Sequence, residues 1–172
     1  AVSYSGISKA NEASFGLVVI PSYKFNKAKT IVSIGADFLV NWLSSIENAV
    51  QYGERRKPNG EWMSRHFQFE TILSTTGSNA DVRGAIKPSE YGKAAVAIYN
   101  HIAKKAGAST LSGGDLTDEN NVISKIEEAA NDLWNNKGNS LVISGSNDTS
   151  VHTIVNGINN LLGNYGNTID LN

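Results

Sequence analysis

Two short runs place the tightest limit on what this chain can become. Thr30-Ile31-Val32-Ser33-Ile34 is apolar and largely β-branched, and it runs into Gly35-Ala36-Asp37. Ser140-Leu141-Val142-Ile143-Ser144 repeats the design and runs into Gly145-Ser146-Asn147. A nearly continuous apolar run that stops at glycine is the pattern of a strand buried on both faces, and helices must then cover those faces. Residues 65–73 form a third strand candidate with imperfect alternation, and 167–171 a short closing strand.

Helical patterns fill the intervals. Leu39, Leu43, Ile46 and Val50 fall on one helical face, and Ser44 with Glu47 has the spacing of a capping box that starts the regular part at Ser44. A second stripe joins Tyr91, Ala94, Ala95, Ile98, Ile102 and Ala106, opened by Pro88-Ser89 and stopped by Gly107. A third joins Val122, Ile126, Ala129, Ala130 and Leu133, with Asp118 and Glu119 near its positive end. The fourth joins Val151, Ile154, Val155, Ile158, Leu161 and Leu162 and ends at Gly163; a shorter helix is expected over 8–15. Strands alternating with long amphipathic helices predict an α/β fold: three layers, a mostly parallel sheet and helices on both faces. The segment 107–115, with Gly113-Gly114, is the most linker-like but too short to divide the chain, so 1–172 is expected to be a single domain.

Composition narrows the function classes. With 15 basic and 16 acidic side chains the net charge is -1, which argues against a nucleic-acid or anionic-membrane binder held by bulk charge. No run of eighteen apolar residues predicts a membrane span. Cysteine is absent, which removes disulfides, thiolate metal sites and cysteine nucleophiles from these residues. The N-terminal AVSYSGISKANE lacks the layout of a signal peptide and reads as part of something longer, with removal of a targeting segment as the competing explanation. The twenty asparagines read as a compositional habit of the source.

In open α/β sheets ligands bind beyond the carboxyl ends of the strands, which directs attention to Gly35, Asp37, Gly145, Ser146 and Asn147. Glycine there permits close backbone approach, and Asp37 or Asn147 can hydrogen-bond a nucleotide or pterin edge. Asn147, Asp148 and Thr149 also stand at the amino end of a helix, where free N–H groups favour anions. The alternative is a pair of ordinary strand–helix turns with Asn147 or Asp148 as an N-cap, and the local pattern by itself favours it. The loop 36–43 carries Phe38, Val40 and Trp42 beside Asp37 and Asn41, suiting a ligand lid, a docking surface or plain core filling. His66, His101 and His152 form no metal-binding spacing; the helix-borne pair is expected at ordinary surface or core positions. No G-x-S-x-G elbow, P-loop or G-x-G-x-x-G is present, and Glu127-Glu128 and Arg55-Arg56-Lys57 read as solvated faces.

Longer stretches carry a family resemblance. SYSGISKANEASFG, IPSYKFNKAKTIVSIGADFL, MSRHFQFETILSTTGSNADVRGAIKPSE and SLVISGSNDTSVHTIVNGINNLLGNYGNTI together span nearly the whole chain. In this order they resemble the molybdopterin oxidoreductase superfamily, and more closely the iron–sulfur, molybdopterin-oxidoreductase-like subunit of bacterial alternative complex III, a quinol-oxidising respiratory assembly. The resemblance implies a Rossmann-like domain of the formate dehydrogenase/DMSO reductase type. In that superfamily an apolar strand leads into G-x-N, similar to Gly35-Ala36-Asp37, and a threonine- and Ala-Asp-containing loop resembles Thr75-Thr76 with Ala80-Asp81. A P-G-T-D element helps hold the guanine dinucleotide of the pterin, but here the chain reads Pro88-Ser89-Glu90-Tyr91. A tyrosine hydroxyl cannot accept the two parallel hydrogen bonds that an aspartate takes from guanine. No cysteine can ligate a metal, which leaves a serine, an aspartate or a group outside these residues.

The close relatives keep the fold without the molybdenum cofactor, and their electron transfer belongs to iron–sulfur clusters in another region of the polypeptide. The resemblance therefore implies a cofactor-free scaffold domain with no catalytic residue of its own. It would dock against other subunits or domains of a membrane-bound respiratory complex, on the periplasmic side. Two rivals stand beside it. One is a genuine molybdopterin guanine dinucleotide-binding domain, with Gly35, Asp37, Gly145, Ser146 and Asn147 lining the crevice. The other is a generic nucleotide-binding α/β module.

Overall fold

The computed structural model describes residues 3–117 and 121–172. Its centre is a parallel sheet of four strands, β2 (Thr30–Ile34), β3 (Arg65–Glu70), β4 (Val82–Ala85) and β5 (Ser140–Ser144), in the order β4-β3-β2-β5. The two echoing runs are adjacent partners, with Thr30 opposite Ser140 and Ile34 opposite Ser144. All five residues of each are buried, as strands covered on both faces must be. A separate antiparallel pair joins β1 (Ser22–Tyr23) to β6 (Ile169–Asp170). The closing strand is thus real but two residues long, and it lies outside the main sheet.

Strand alternation sorts the core into two layers. Val32, Ile34, Phe67, Phe69 and Val142 face α4 (Tyr91–Ala106) and α5 (Val122–Asn135), where Ile98, Ile102, Ile126 and Leu133 meet them. Ile31, Leu141 and Ile143 face the opposite way, onto Ile7 of α1 (Ser5–Phe15) and onto Phe25, Phe38, Trp42 and Tyr52. Helices α2 (Ser45–Glu54), α3 (Thr75–Ser78) and α6 (Thr149–Leu161) complete the order, and 3₁₀ turns cover Phe25–Lys27 and Pro88–Glu90. The fold is a three-layer α/β sandwich. Among the described residues no helix is long and apolar enough to cross a membrane.

The stripe predicted for α5 matches its buried face; in α4 Ala103 rather than Ala106 is buried and Tyr91 is half-buried, and in α6 Ile154 and Leu161 are half-buried while His152, Asn156 and Asn159 are also buried. Gly107 ends α4 in the left-handed conformation. Asp118 and Glu119 lie outside the described residues. Helix α1 starts at Ser5, one turn earlier than expected.

Several expectations are corrected. The face Leu39-Leu43-Ile46-Val50 does not exist as a buried helical stripe, because the chain turns through 39–43 and the helix begins at Ser45. Ile46 and Val50 are 83% and 62% exposed, while Asn48 and Tyr52 are buried. Ser44 is the N-cap but makes no side-chain cap bond; Glu47 instead accepts from Gln51. In the loop 36–43, Phe38 and Trp42 fill the core, leaving Val40 exposed.

The charge clusters are not merely solvated: Arg56 grips Asp81 with both nitrogens, Arg65 pairs with Glu128 and Asp132, and Arg55 lies 4.3 Å over the Trp62 ring. The segment 107–115 is bound to α4 by Asn100, whose amide both donates to and accepts from the Leu111 backbone.

The asparagines are likewise no habit alone. On β5, an edge strand, the Asn159 side chain accepts from Val142 N at 3.1 Å and donates to Val142 O at 2.8 Å. It stands in for the neighbouring strand that the sheet lacks there, satisfying groups that would otherwise be orphaned in the interior. Asn164 braces it, donating to Asn159 Oδ1 and accepting from Ser140 Oγ.

Candidate functional site at the sheet switch point

The chain builds the sheet outward from β2 through β3 to β4, then returns to the other side of β2 with β5. The strand order therefore reverses between β2 and β5, the place where open α/β sheets form a ligand crevice. Gly35, Asp37, Gly145, Ser146 and Asn147 all lie in the two loops at that point.

The loops pack on each other. Gly145 N donates to Ile34 O at 2.9 Å, and Ser144 Oγ donates to the same carbonyl at 3.2 Å. A Cβ at Gly145 would stand 2.6 Å from the Gly35 carbonyl carbon, so the two backbones touch with no room for a side chain. Gly35 has φ +71 and bonds across to Phe69 O, a conformation that glycine adopts freely. Over it lies the Tyr91 ring: a Cβ on Gly35 would be 2.6 Å from Tyr91 Cζ. The Tyr91 hydroxyl shares a 3.2 Å hydrogen bond with Thr71 Oγ1.

The other side is closed by α1. Asn147 Oδ1 accepts from Gly6 N at 3.0 Å, and a Cβ at Gly6 would stand 2.7 Å from the Asn147 carbonyl carbon. Asn147 therefore holds the first turn of α1, whereas the N-cap of α6 is Asp148, accepting from Ser150 N at 2.8 Å. The Ser146 carbonyl accepts from His152 Nε2 at 2.6 Å; since a carbonyl can only accept, the proton sits on Nε2. Burial pushes the His152 imidazole below its usual range, which favours that neutral form. Asp37 Oδ1 accepts from the Thr76 hydroxyl at 2.6 Å and the Thr76 amide at 3.2 Å, while its carbonyl accepts from Val40, Asn41 and Trp42. Each of the five candidates is thus brought to one rim, and each is in contact with the chain itself.

The Pro88-Ser89-Glu90-Tyr91 element borders a hollow of about 150 Å³ lined by Thr71, Lys87, Glu90 and Thr117. Small-molecule sites run to roughly 300–1,000 Å³. Glu90 accepts from Lys87 N at 3.0 Å and from Thr117 N at 3.4 Å, and the Lys87 amide holds its carboxyl below the usual range. Tyr91 thus lies on Gly35, Gly6 on Asn147 and Thr76 on Asp37. Among the described residues no group of three or more His, Asp or Glu is placed to hold a metal ion.

Beside the switch point runs a polar ladder that sequence reasoning did not single out. His66, Gln68 and Glu70 alternate along β3 and share the face opposite Phe67 and Phe69. Gln68 Nε2 donates to Ala36 O and Glu70 Oε2, so its Oε1 accepts from His66 Nε2 at 3.1 Å. His66 Nδ1 is left facing the Tyr52 hydroxyl at 3.2 Å, and that hydroxyl lies 3.0 Å from Asn79 O. Burial pushes the His66 imidazole down to about 4. Burial would raise the Glu70 carboxyl, but Arg83, Ser74 and Gln68 outweigh it and hold it below its usual range. The period-two alternation in RHFQFE was the available signal; its polar half reads as a solvent face until α2 and α3 are known to cover it.

No family model matches the chain, and no curated protein matches it.

Proposed function

We propose that the chain is a cofactor-free, molybdopterin-oxidoreductase-like scaffold domain of an iron–sulfur electron-transfer subunit, working in a quinol-oxidising respiratory complex on the periplasmic side. Its role is architectural: it presents docking surfaces to other subunits, while electrons move through clusters held elsewhere. One observation carries the reading. The crevice where a dinucleotide would lie is filled by the chain's own groups, with Tyr91 seated on Gly35 and the start of α1 seated on Asn147. The substitution that sets this chain apart at the P-G-T-D element is the same residue that plugs the crevice.

Calorimetric titration of the chain with molybdopterin guanine dinucleotide tests the reading. No saturable heat is expected, and the full-length protein from its native source should carry no stoichiometric molybdenum. Micromolar binding, or one molybdenum per chain, overturns it in favour of a working cofactor domain.

A further inference from the structure

Helix α2 is amphipathic the wrong way round. Its inward face is polar: Asn48 Nδ2 donates to the Phe38 and Trp42 carbonyls, and Tyr52 reaches the His66 ladder. Its aliphatic residues look outward, Ile46 at 83% and Val50 at 62% exposure. One turn apart on the outer face, with Gly53 three residues further on, they form a short seam of the kind by which one helix packs against another, while Leu43 stands just outside the helix and is partly packed on the protein's own core. Nothing stands within 4 Å of where a Gly53 Cβ would be, so a second backbone can approach closely there.

The seam continues into a groove. Leu43 has φ +49, a left-handed conformation that a leucine adopts only under constraint. It lines two hollows of about 390 and 490 Å³ that share Leu43, Ser44 and Glu47, and Ile20, 47% exposed, also lines the first. A strained leucine, a groove and an exposed aliphatic stripe thus coincide at one place. Exposed apolar surface gathered in this way marks an interaction site.

Charge indicates what covers it. Glu47 and Glu54, one heptad apart, flank the seam on the same side, and both are exposed. Their carboxylates meet only neutral amides, of Gln51 and Asn26, and neither is ion-paired among the described residues. A second copy packed antiparallel would set these glutamates against each other. We infer that α2 docks one amphipathic helix of a separate polypeptide, whose apolar seam is flanked by lysine or arginine. The inference rests on the scaffold role proposed above and names the chemistry of the partner.

A photo-crosslinking residue, p-benzoylphenylalanine, placed at Val50 of the full-length protein in its native membranes tests this, with the same residue at exposed Lys93 of α4 as control. The expected adduct, absent from the control, joins Val50 to another polypeptide whose captured segment has apolar residues at helical spacing and basic flanks. Glu47→Lys with Glu54→Lys should lower the adduct yield by about tenfold, while Glu12→Lys on α1 leaves it unchanged. Melting temperatures of all variants should match the parent, since every altered side chain is exposed. No adduct, an adduct to a second copy or to the same polypeptide, a segment without that pattern, or a yield indifferent to charge reversal overturns the proposal. Dinucleotide binding would overturn the scaffold reading without touching this adduct, so the two failures are separable.

Discussion

The Tyr91 ring lies against the α-carbon of Gly35, so closely that a Cβ on Gly35 would stand 2.6 Å from Tyr91 Cζ. Gly35→Ala meets two penalties, the positive φ and the ring, together about 3 kcal/mol. Tyr91→Ala removes the second, so in that background Gly35→Ala should cost only about 1–2 kcal/mol. Urea unfolding of the four-member cycle checks this; a coupling energy near zero would show that the ring does not occupy the crevice in solution.

Asn147 is read here as the anchor of α1 rather than as a ligand contact. Asn147→Ala should cost about 1 kcal/mol, the worth of one hydrogen bond. Hydrogen exchange should quicken at the Gly6 amide first. Equal quickening throughout α6 would instead assign Asn147 to the cap of that helix.

Asn159 serves as a substitute strand for β5. Asn159→Leu leaves the N–H and C=O of Val142 without partners in the interior and should destabilise by about 3 kcal/mol. The exposed neighbour Asn160 provides the contrast, since Asn160→Leu should change stability by under about 0.5 kcal/mol. Chemical denaturation of both variants measures the difference.

His66 makes the fold sensitive to mild acid. Its ring titrates near its ordinary value of 6.5 in the unfolded chain and at about 4 in the fold. Above pH 6.5 neither state takes the proton. As pH falls from 6.5 towards 4 the unfolded state alone takes it, so stability declines by roughly 3 kcal/mol. His152, also lowered by burial, acts in the same direction. Glu70 and Asp81, both held below their usual range, stabilise at higher pH and lose that contribution in a second window below about pH 4. Denaturation midpoints across this range should fall in both steps, and His66→Gln should flatten the first. An unchanged first step in that variant, with native spectra, would locate the proton elsewhere.

The sequence by itself determined β2, β3 and β5 and the layer over one face of the sheet, whereas β4 (Val82–Ala85), with Arg83 and Gly84 inside it, carries no apolar run and was not anticipated. Thr30–Ile34 and Ser140–Ser144 had no other way to be buried, and the stripes of α4, α5 and α6 have the one periodicity that matches a flat apolar surface. Those signals are local, because strand and helix geometry repeat within a few residues. The state of the crevice was decided only in three dimensions. Tyr91 could be recognised in the sequence as a departure, but that its ring lands on Gly35, fifty-six positions earlier, depends on how α4 is set against β2. Likewise Gly6 meets Asn147 only because α1 packs beside α6 at the edge of β5. Helix α2 misled pattern reading for the same reason: apolar spacing reveals which residues share a face, while which face turns inward was decided by Asn48, Tyr52 and the polar ladder beneath them. Hydrogen bonds between distant residues leave no period in a sequence, and here they outweighed the one that was present.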